Sequence, residues 1–307
     1  MVLAQTGTGV VAVHRCYAKI NLSLEVVGRR DDGYHELASI AHTISLADDL
    51  RIELADHVAT RVEGPRPVQD SLVTRAAHLL AAASGCRRGA RLTLLKRIPA
   101  SAGLGGGSSD AATTLVGLNE LWQTGLDDRA LAGLAAQLGS DVPFFLRGGA
   151  ASIRGRGEEL SALPPLAGQW LVLAVLEDSL PDKTGTLYRA LCADDFSAGA
   201  TTAMLEARLR RHEVLVESLL INAFERAARR LFPGLDGTWN DLERLVGRPF
   251  HLSGAGPALY ALAGTRAEAR QFARAIQRPG LTSFAARTVT QARAAIRNDA
   301  RACIEYP

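Results

Sequence analysis

The sequence predicts an α+β protein with two lobes. Strand-like runs dominate the first third of the chain, a glycine-rich loop joins a strand to a helix near residue 100, and a second mixed stretch follows Pro164-Pro165. A chain of 307 residues, 47% of them hydrophobic, is long enough to build two lobes. We therefore expect an N-terminal lobe at residues 1–163 and a C-terminal lobe at residues 164–307.

Short runs of β-branched and aliphatic residues indicate the strands of the N-terminal lobe, and apolar residues at helical spacing indicate its helices. The predicted strands cover residues 10–13, 22–27, 40–46, 50–54 and 91–95. The predicted helices cover residues 71–83, 108–122 and 130–138. A polar turn is expected at residues 28–33, and the glycine-rich stretch at 148–159 is typical of turns.

The C-terminal lobe alternates between strands and helices. An apolar run at residues 170–176 predicts a buried strand, and an Ala/Arg/Leu-rich stretch at about residues 201–231 predicts long helices. A short strand at residues 250–252 then meets a second glycine-rich turn at residues 253–257. With the first lobe, this order of elements gives the α+β class.

Composition argues against several classes of protein. A charged fraction of 22% and a mean hydropathy of +0.05 exclude a disordered or collagen-like chain, and a net charge of +3 gives no reason to expect nucleic acid as the main partner. No apolar run approaches the roughly 20 residues needed to span a bilayer, and no signal-peptide pattern opens the chain. We expect a cytoplasmic protein without a membrane partner. Four widely spaced cysteines lack a metal-binding or disulfide pattern and fit a reducing compartment: Cys16, Cys86, Cys192 and Cys303.

The loop between the predicted strand at 91–95 and the next helix is suited to binding phosphate. It consists of Pro99, Ala100, Ser101, Ala102, Gly103, Leu104, Gly105, Gly106, Gly107, Ser108 and Ser109. Glycines let the backbone approach a ligand closely, and the helix that follows offers unpaired N–H groups, with Ser108 and Ser109 as hydroxyl donors or caps. The loop lacks the Gly-Lys-Ser/Thr ending of a Walker A loop and the glycine spacing of a dinucleotide fingerprint. It predicts a cradle for a di- or triphosphate.

The pattern of this loop resembles the phosphate-binding motif of the GHMP kinases, which include galactokinases, homoserine kinases and mevalonate kinases. Four further segments resemble one branch of that superfamily, the 4-diphosphocytidyl-2-C-methyl-D-erythritol kinases of the non-mevalonate isoprenoid pathway. They are Ala18-Lys19-Ile20-Asn21-Leu22-Ser23-Leu24, Asp32-Gly33-Tyr34-His35, Leu138-Gly139-Ser140-Asp141-Val142-Pro143-Phe144-Phe145 and Leu252-Ser253-Gly254-Ala255-Gly256-Pro257. They occur in the family's order along the chain.

The resemblance implies a fold, a reaction and cofactors. The fold would be the two-lobed GHMP fold, with a ribosomal-S5-like N-terminal lobe that contains a left-handed β-α-β element and a ferredoxin-like α+β C-terminal lobe. The reaction would transfer the γ-phosphoryl of ATP to the 2-hydroxyl of 4-diphosphocytidyl-2-C-methyl-D-erythritol, with Mg²⁺ bridging the phosphates. The metal ligands and the oligomeric state are not indicated by the sequence.

Catalytic roles implied by the resemblance fall on Lys19 and Asp141. Lys19 and Asn21 are two apart on a predicted strand, so their side chains share one face, where Asn21 would contact the substrate. Asp141 precedes Val142-Pro143 and could simply cap a helix. The resemblance instead makes Asp141 the general base for the acceptor hydroxyl and makes Lys19 its partner.

Substrate recognition is implied for a second group of residues. An aromatic ring next to an imidazole suits a flat heterocycle, and the resemblance assigns Tyr34 and His35 to the cytosine, with Tyr188 as a second ring. Thr184 would contact the acceptor. Gly254 and Gly256 of the second glycine-rich turn would support the site.

Alternatives remain open at this stage. Another GHMP small-molecule kinase, of the homoserine or mevalonate type, would share most motifs, and so would a non-catalytic sensor of nucleotide or sugar. A nucleic-acid-binding protein with a ribosomal-S5-like lobe is disfavoured by the near-neutral charge. Residues 182–186 spell the phosphorylation motif of P-type pumps, but the transmembrane helices of such pumps are missing from the sequence. Departures from the family pattern occur at Asp70-Ser71-Leu72 and at residues 222–225.

Overall fold

A computed structural model describes residues 4–6, 9–64, 72–166, 168–177 and 180–290. In chain order, the elements up to residue 163 are β1 (Ala4–Thr6), β2 (Gly9–Arg29), β3 (His35–Ala55), β4 (Ala59–Glu63), α1 (Leu72–Ser84), β5 (Gly89–Leu95), α2 (Gly106–Trp122), α3 (Asp128–Leu138), α4 (Val142–Arg147), β6 (Ala150–Gly155) and β7 (Glu159–Leu163). Asp70, Ser71 and Cys303, which enter the sequence predictions, lie outside the described residues.

The remaining elements are β8 (Trp170–Leu176), α5 (Lys183–Ala190), α6 (Ala200–Arg210), β9 (Ile221–Asn222), α7 (Glu225–Leu231), α8 (Leu235–Val246), β10 (His251–Leu252), β11 (Ala258–Ala263), α9 (Arg266–Ile276) and β12 (Leu281–Arg287), with 3₁₀ turns at Ala193–Asp195 and Glu217–Leu219. No helix of the described segments is both long and apolar enough to cross a lipid bilayer.

Two long antiparallel strands, β2 and β3, form the centre of the first sheet, which has eight strands within the described residues. One half of β3 pairs with β6, which pairs with β7, and the other half pairs with β5. The parallel pair β4 and β5, joined through α1, forms a β-α-β element that ends before the glycine-rich loop. The short strand β9 adds to β2 in parallel at residues 23 and 24.

The second sheet is antiparallel, and its described strands run in the order β10-β11-β8-β12. Numbered within the lobe from β8 as first to β12 as fourth, this is the order 2-3-1-4 of a ferredoxin-like sheet, with helices before β10 and between β11 and β12. The mixed sheets and helices confirm the predicted α+β class. The boundary between residues 163 and 164 stays a prediction.

The central strand β8 shows how the second sheet is buried on both faces. Its side chains alternate with period two. Leu171, Leu173 and Val175 pack in a core that also contains Ile20 and Ile40 of the first sheet. Val172, Ala174 and Leu176 pack in a different core with helices α7 and α8. A third core joins the first sheet to α1, α2, α3 and α4.

Three sequence predictions need correction. The glycine-rich stretch at 148–159 contains the strand β6, whose apolar residues pair with β3, so only its ends form turns. The helices predicted at about 201–231 are α6 and α7, separated by a 3₁₀ turn and β9. Helix α2 begins at Gly106, two residues before the predicted start, because Gly105 takes the left-handed conformation of the cap position with φ +69°.

Candidate active site

Lys19 and Asn21 lie side by side on β2, as the period of a strand predicts. Lys19 Nζ donates to Asn21 Oδ1 at 2.6 Å, and Asn21 Nδ2 donates to Ser39 Oγ at 2.9 Å. Register shifts in the pairing of β2 with β3 occur on both sides of this pair. Such bulges re-aim side chains next to functional sites. The Lys19 side chain is only 7% exposed, so its ammonium is held in one place.

Asp141 faces Lys19 across the cleft. It occupies the cap position of α4, but its side chain makes no capping hydrogen bond, so helix capping does not explain the residue. Its Oδ2 lies 3.7 Å from Lys19 Nζ, and the carboxylate is 47% exposed. A half-exposed carboxylate beside a buried ammonium can accept a proton from a hydroxyl that enters the cleft.

The glycine-rich loop passes so close to its neighbours that side chains are excluded at several positions. A Cβ added to Gly105, where φ is +69°, would lie 2.7 Å from the Phe145 ring and 3.1 Å from Lys19 Cγ. A Cβ on Gly103, where φ is +83°, would lie 2.1 Å from the Ser253 carbonyl oxygen. The loop is also tied to β2, since the Lys19 backbone N–H donates to the Leu104 carbonyl at 2.9 Å. The loop and Lys19 thus form one unit.

The second glycine-rich turn packs directly on this loop. Ser253 Oγ donates to the Gly103 carbonyl at 3.1 Å, and the Ala258 N–H donates to the Ala102 carbonyl at 3.1 Å. A Cβ on Gly254 would lie 3.3 Å from Lys19 Nζ, which explains why glycine suits this position. Gly256 also has a left-handed backbone, with φ +68°.

Asn222 fixes the shape of that turn, a role that the sequence did not reveal. Its Nδ2 donates to the carbonyls of Leu252 and Gly254, both at 2.9 Å, and its Oδ1 accepts from the Phe224 N–H at 2.9 Å. The buried Asn222 stands at the start of the segment whose departure from the family pattern was noted above. The residues that differ from the family pattern therefore follow an asparagine whose side-chain amide makes three hydrogen bonds.

Ser108 and Ser109 lie in the first turn of α2, so neither is the helix cap. Behind this turn lies a buried charge cluster in which Lys96 Nζ donates to Asp48 Oδ2 at 2.5 Å and to Asp110 Oδ2 at 2.7 Å. Burial raises the pKa of Asp110. Burial alone would lower the pKa of Lys96, but the charges of Asp110 and Asp48 outweigh it and raise that pKa. This cluster anchors the end of the loop and was not predicted.

Aromatic side chains gather at the other end of the cleft. The His35 ring stacks on Tyr188 with centroids 4.6 Å apart and planes 18° apart, and Phe196 meets His35 edge-on at 6.0 Å. Tyr34 is 58% exposed at the rim, where the Arg156 guanidinium lies 4.9 Å from its ring centroid. The structure thus brings His35 and Tyr188 together, with Tyr34 beside them.

Charge and burial shift the pKa values of this aromatic group. Burial, followed by the charge of Asp141, raises the pKa of Tyr188 to about 12. Burial, followed by the charge of Arg29, lowers the pKa of His35. A neutral imidazole stacked on a neutral phenol presents flat, weakly charged surfaces. Sequence reasoning missed Phe196 and Arg156, which only the fold brings to this place.

One cleft of about 2350 Å³ brings most of the predicted site residues together, namely Lys19, Asn21, Tyr34, His35, Asp141, Tyr188, Gly254 and, from the glycine-rich loop, Gly103 and Gly105. The other loop residues and Gly256 do not line it. Thr184 lines it from α5, next to Lys183, which sequence reasoning had not singled out. Burial, followed by the charge of Lys19, lowers the pKa of Lys183 to about 8. The described residues contain no group of three or more His, Cys, Asp or Glu side chains placed to hold a metal ion. Magnesium bound with a nucleotide takes most of its ligands from phosphates and water, so such a cleft needs to supply only one or two oxygens.

Two sequence models of the GHMP kinases match the chain. The N-terminal model (GHMP kinases N terminal domain) matches residues 71–149, and the C-terminal model (GHMP kinases C terminal) matches residues 202–281. A 4-diphosphocytidyl-2-C-methyl-D-erythritol kinase from Dehalococcoides mccartyi is 46% identical over 248 residues, which are 80% of this chain and 87% of that protein. A kinase of the same name from Gloeobacter violaceus is 38% identical over 89% of this chain and 93% of its own.

Solved structures agree with this assignment. The crystal structure of a 4-(cytidine 5'-diphospho)-2C-methyl-D-erythritol kinase has a TM-score of 0.77 and 37% identity, covering 90% of this chain and 98% of its own. A homoserine kinase from Cytophaga hutchinsonii has a TM-score of 0.69 at 17% identity, covering 95% and 98%. The likeness to the homoserine kinase extends to the fold alone. The likeness to the 4-(cytidine 5'-diphospho)-2C-methyl-D-erythritol kinase extends to the sequence as well.

Proposed function

Since the chain belongs to the 4-diphosphocytidyl-2-C-methyl-D-erythritol kinases of the GHMP superfamily, we propose that its cleft transfers the γ-phosphoryl group of ATP to the 2-hydroxyl of 4-diphosphocytidyl-2-C-methyl-D-erythritol. The product would serve the non-mevalonate isoprenoid pathway. The observation that supports this most directly is the position of Lys19, whose backbone bonds the glycine-rich loop while its ammonium lies 3.7 Å from Asp141 Oδ2. One residue thus connects a phosphate cradle to a base.

In the proposed reaction, Asp141 accepts the proton of the substrate hydroxyl as its oxygen bonds to the γ-phosphorus. The bond between that phosphorus and the β,γ-bridging oxygen breaks, and ADP leaves with the electron pair. Lys19 orients Asp141 and the hydroxyl, and Asn21 holds the Lys19 ammonium at 2.6 Å. Phosphoryl transfer demands mainly positioning and charge stabilisation, and this arrangement supplies both.

The phosphates of ATP would lie against residues 99–109, where glycines keep the backbone accessible. Positions 103 and 105 have left-handed backbones and no space for a side chain, and the N-terminus of the 17-residue helix α2 follows. Mg²⁺ bound to these phosphates would neutralise charge that develops during the transfer. The residues that could offer it an oxygen include Asp141 of the cleft and Ser108 in the first turn of α2.

The cytosine of the acceptor would lie in the aromatic part of the cleft, among Tyr34, His35 and Tyr188. We propose that the base stacks on the two tyrosine rings while His35 hydrogen-bonds its edge. Thr184 would contact the acceptor nearer the reacting end, and Gly254 and Gly256 would support Lys19 and the loop. Both substrates are small soluble molecules, so we also propose a cytoplasmic location.

An acceptor panel tests this function. ADP release from ATP is measured with 4-diphosphocytidyl-2-C-methyl-D-erythritol, its uncytidylated counterpart 2-C-methyl-D-erythritol 4-phosphate, homoserine and mevalonate. We expect turnover with the first alone. In Asp141→Asn, loss of the general base is expected to lower kcat by about 10²- to 10⁴-fold while ADP still binds.

A loss of activity in Asp141→Asn assigns the activity to this cleft, because the asparagine side chain has nearly the size and shape of aspartate and lacks only its charge. Preferred turnover of homoserine or mevalonate would contradict the substrate. Full activity of Asp141→Asn would contradict the base.

A further inference from the structure

Among the described residues, the half-buried ammonium group of Lys183 donates only to neutral oxygens. From the first residue of α5, its Nζ donates to the Ser101 carbonyl at 2.5 Å and to the Gly256 carbonyl. The neighbouring Asp182 carboxylate pairs with Arg189 at 3.0 Å instead. In the part of the chain that the structure describes, no carboxylate forms an ion pair with Lys183. An ammonium has three donors, so a third N–H remains for a ligand that enters the cleft.

The use of lysine in this chain is itself informative. Of 35 basic residues, only three are lysines, namely Lys19, Lys96 and Lys183, and the others are arginines. All three lysines contact the glycine-rich loop or its ends: Lys19 through Leu104, Lys96 next to Gly106, and Lys183 through Ser101. Lysine carries a compact charge on a flexible stem, whereas arginine is a wide planar fork. Lysine at these three positions therefore places a compact ammonium group beside the loop.

The charges around the transfer site do not balance. Lys19 and Lys183 each bring a positive charge, and Asp141 brings the one carboxylate that pairs with either among the described residues. Burial and the charge of Lys19 lower the pKa of Lys183 to about 8, because both destabilise its protonated form. An excess of positive charge in a partly buried cleft is stabilised when an anion binds.

The backbone on both sides of this contact is strained. Ser101, whose carbonyl accepts from Lys183, has φ +55°, and Asp182, which precedes Lys183, has φ +43°. Residues other than glycine adopt this left-handed region at a cost, and such residues concentrate at functional sites. Both of these residues therefore stand at the contact between the loop carbonyl and the α5 lysine.

We infer that Lys183 Nζ contacts the γ-phosphoryl group of ATP and stabilises its charge during transfer, as a second cation beside Lys19. This inference rests on the proposed function, because it requires ATP phosphates on the glycine-rich loop. The contact joins three parts of the site, since Lys183 stands on the helix that carries Thr184 and Tyr188 and bonds both glycine-rich segments. Lys183 is then a catalytic residue that touches the reacting group.

Lys183→Met tests the inference, because it removes the charge and keeps the length of the side chain. We expect kcat to fall about 10²- to 10³-fold, as on removal of one preorganised charge-stabilising donor. The readout specific to a γ-phosphoryl contact is equilibrium binding of adenylyl imidodiphosphate and of ADP, each with magnesium. The wild-type preference for the triphosphate analogue should disappear in Lys183→Met, with ADP affinity changed less than about threefold. Lys183→Arg should recover at least a tenth of the wild-type kcat.

Arg244→Met is a matched control, because it removes an exposed cation on α8 that pairs with Asp241. It should leave kcat, the affinity for ADP and the affinity for the triphosphate analogue unchanged. If Lys183→Met keeps kcat within threefold of an active wild type, the inference is wrong. It is also wrong if affinities for ADP and for the triphosphate analogue fall together, since Lys183 would then only hold the loops in place. If the wild type does not phosphorylate the acceptor, the proposed function fails, whereas the two affinities still test the Lys183 contact.

Discussion

Gly105 lies between two side chains that leave no room for a third. A Cβ added there would meet both the Phe145 ring and the Lys19 stem, and the left-handed φ of +69° suits the cap position of α2. Gly107, two residues later, is inside the helix and has no neighbour within 3.4 Å of an added Cβ. Steric crowding and a positive φ therefore favour glycine at position 105, whereas neither applies at position 107.

This contrast gives a prediction for stability. Gly105→Ala should lower the free energy of unfolding by about 2 kcal/mol, because the methyl group meets the Phe145 ring and the residue is strained at positive φ. Gly107→Ala should change it by less than 1 kcal/mol, and in the stabilising direction, because alanine favours the helix. Urea unfolding of both variants measures the difference. Equal destabilisation by the two substitutions would contradict the steric account.

For individual residues, the sequence predicted features that depend on neighbours in the chain. The shared face of Lys19 and Asn21 follows from the strand period, whereas their roles came from the family resemblance. The left-handed glycines follow from the density of glycine in the loop. Lys183 could not be predicted in this way, because its partners Ser101 and Gly256 are far from it in sequence. Only the fold shows that its ammonium reaches both glycine-rich segments.

Strands β2 and β3 show why the extent of elements was harder to predict than their type. The sequence indicated strand-like runs at 10–13 and 22–27 and placed Lys19 and Asn21 on an early strand, but it did not show that all of them belong to the single strand β2. Its alternate residues Cys16, Ala18 and Ile20 are fully buried, so polar residues interrupt the hydrophobic run without interrupting the strand. Strand β6 was also harder to predict, because the glycines at both of its ends are typical of turns although the residues between them are buried.

His42 on β3 ties the segment after β7 to the first sheet. Its Nε2 accepts from the Leu166 N–H at 2.9 Å, and its Nδ1 lies 2.8 Å from the Thr43 carbonyl, so the ring is neutral with the proton on Nδ1. Burial lowers the pKa of His42 to about 4. Protonation would break the bond to Leu166 and place a charge in the core.

The pH dependence of stability follows from this shift. Unfolded His42 binds a proton below about pH 6.5, whereas folded His42 resists it down to about pH 4. The unfolded state therefore binds more protons in this window, and stability falls as the pH is lowered, by about 1.4 kcal/mol per pH unit and roughly 3 kcal/mol in all.

Urea unfolding of the wild type and His42→Gln between pH 7 and pH 4.5 measures this contribution. The substitution should lower stability at pH 7 and flatten the pH dependence. His78→Gln, at an exposed position on α1, should leave both unchanged. An unaltered slope in His42→Gln would show that other groups cause it.

The two sheets share a core, and this determines how the whole molecule should unfold. Ile20 and Ile40 of the first sheet pack with Leu173 and Tyr260 of the second, all fully buried. The Tyr260 hydroxyl also donates to the Asn21 carbonyl at 3.0 Å, directly beneath the Lys19–Asn21 pair. The cleft therefore depends on both lobes being folded at once. The sequence predicted two lobes but could not reveal this shared core, since its residues come from strands more than 100 positions apart.

We expect one cooperative unfolding transition, since separating the lobes would expose this core to water. Each lobe has a buried tryptophan as a reporter, Trp122 on α2 and Trp239 on α8. A variant with Trp170→Phe and Trp239→Phe reports on the first lobe, and one with Trp122→Phe and Trp170→Phe reports on the second. Within each variant, the urea midpoint from fluorescence should coincide with that from circular dichroism, even if the substitutions shift the midpoint itself. Fluorescence that changes before circular dichroism in one variant and after it in the other would mean that the lobes unfold separately, and the cleft would then lose its geometry before the chain unfolds.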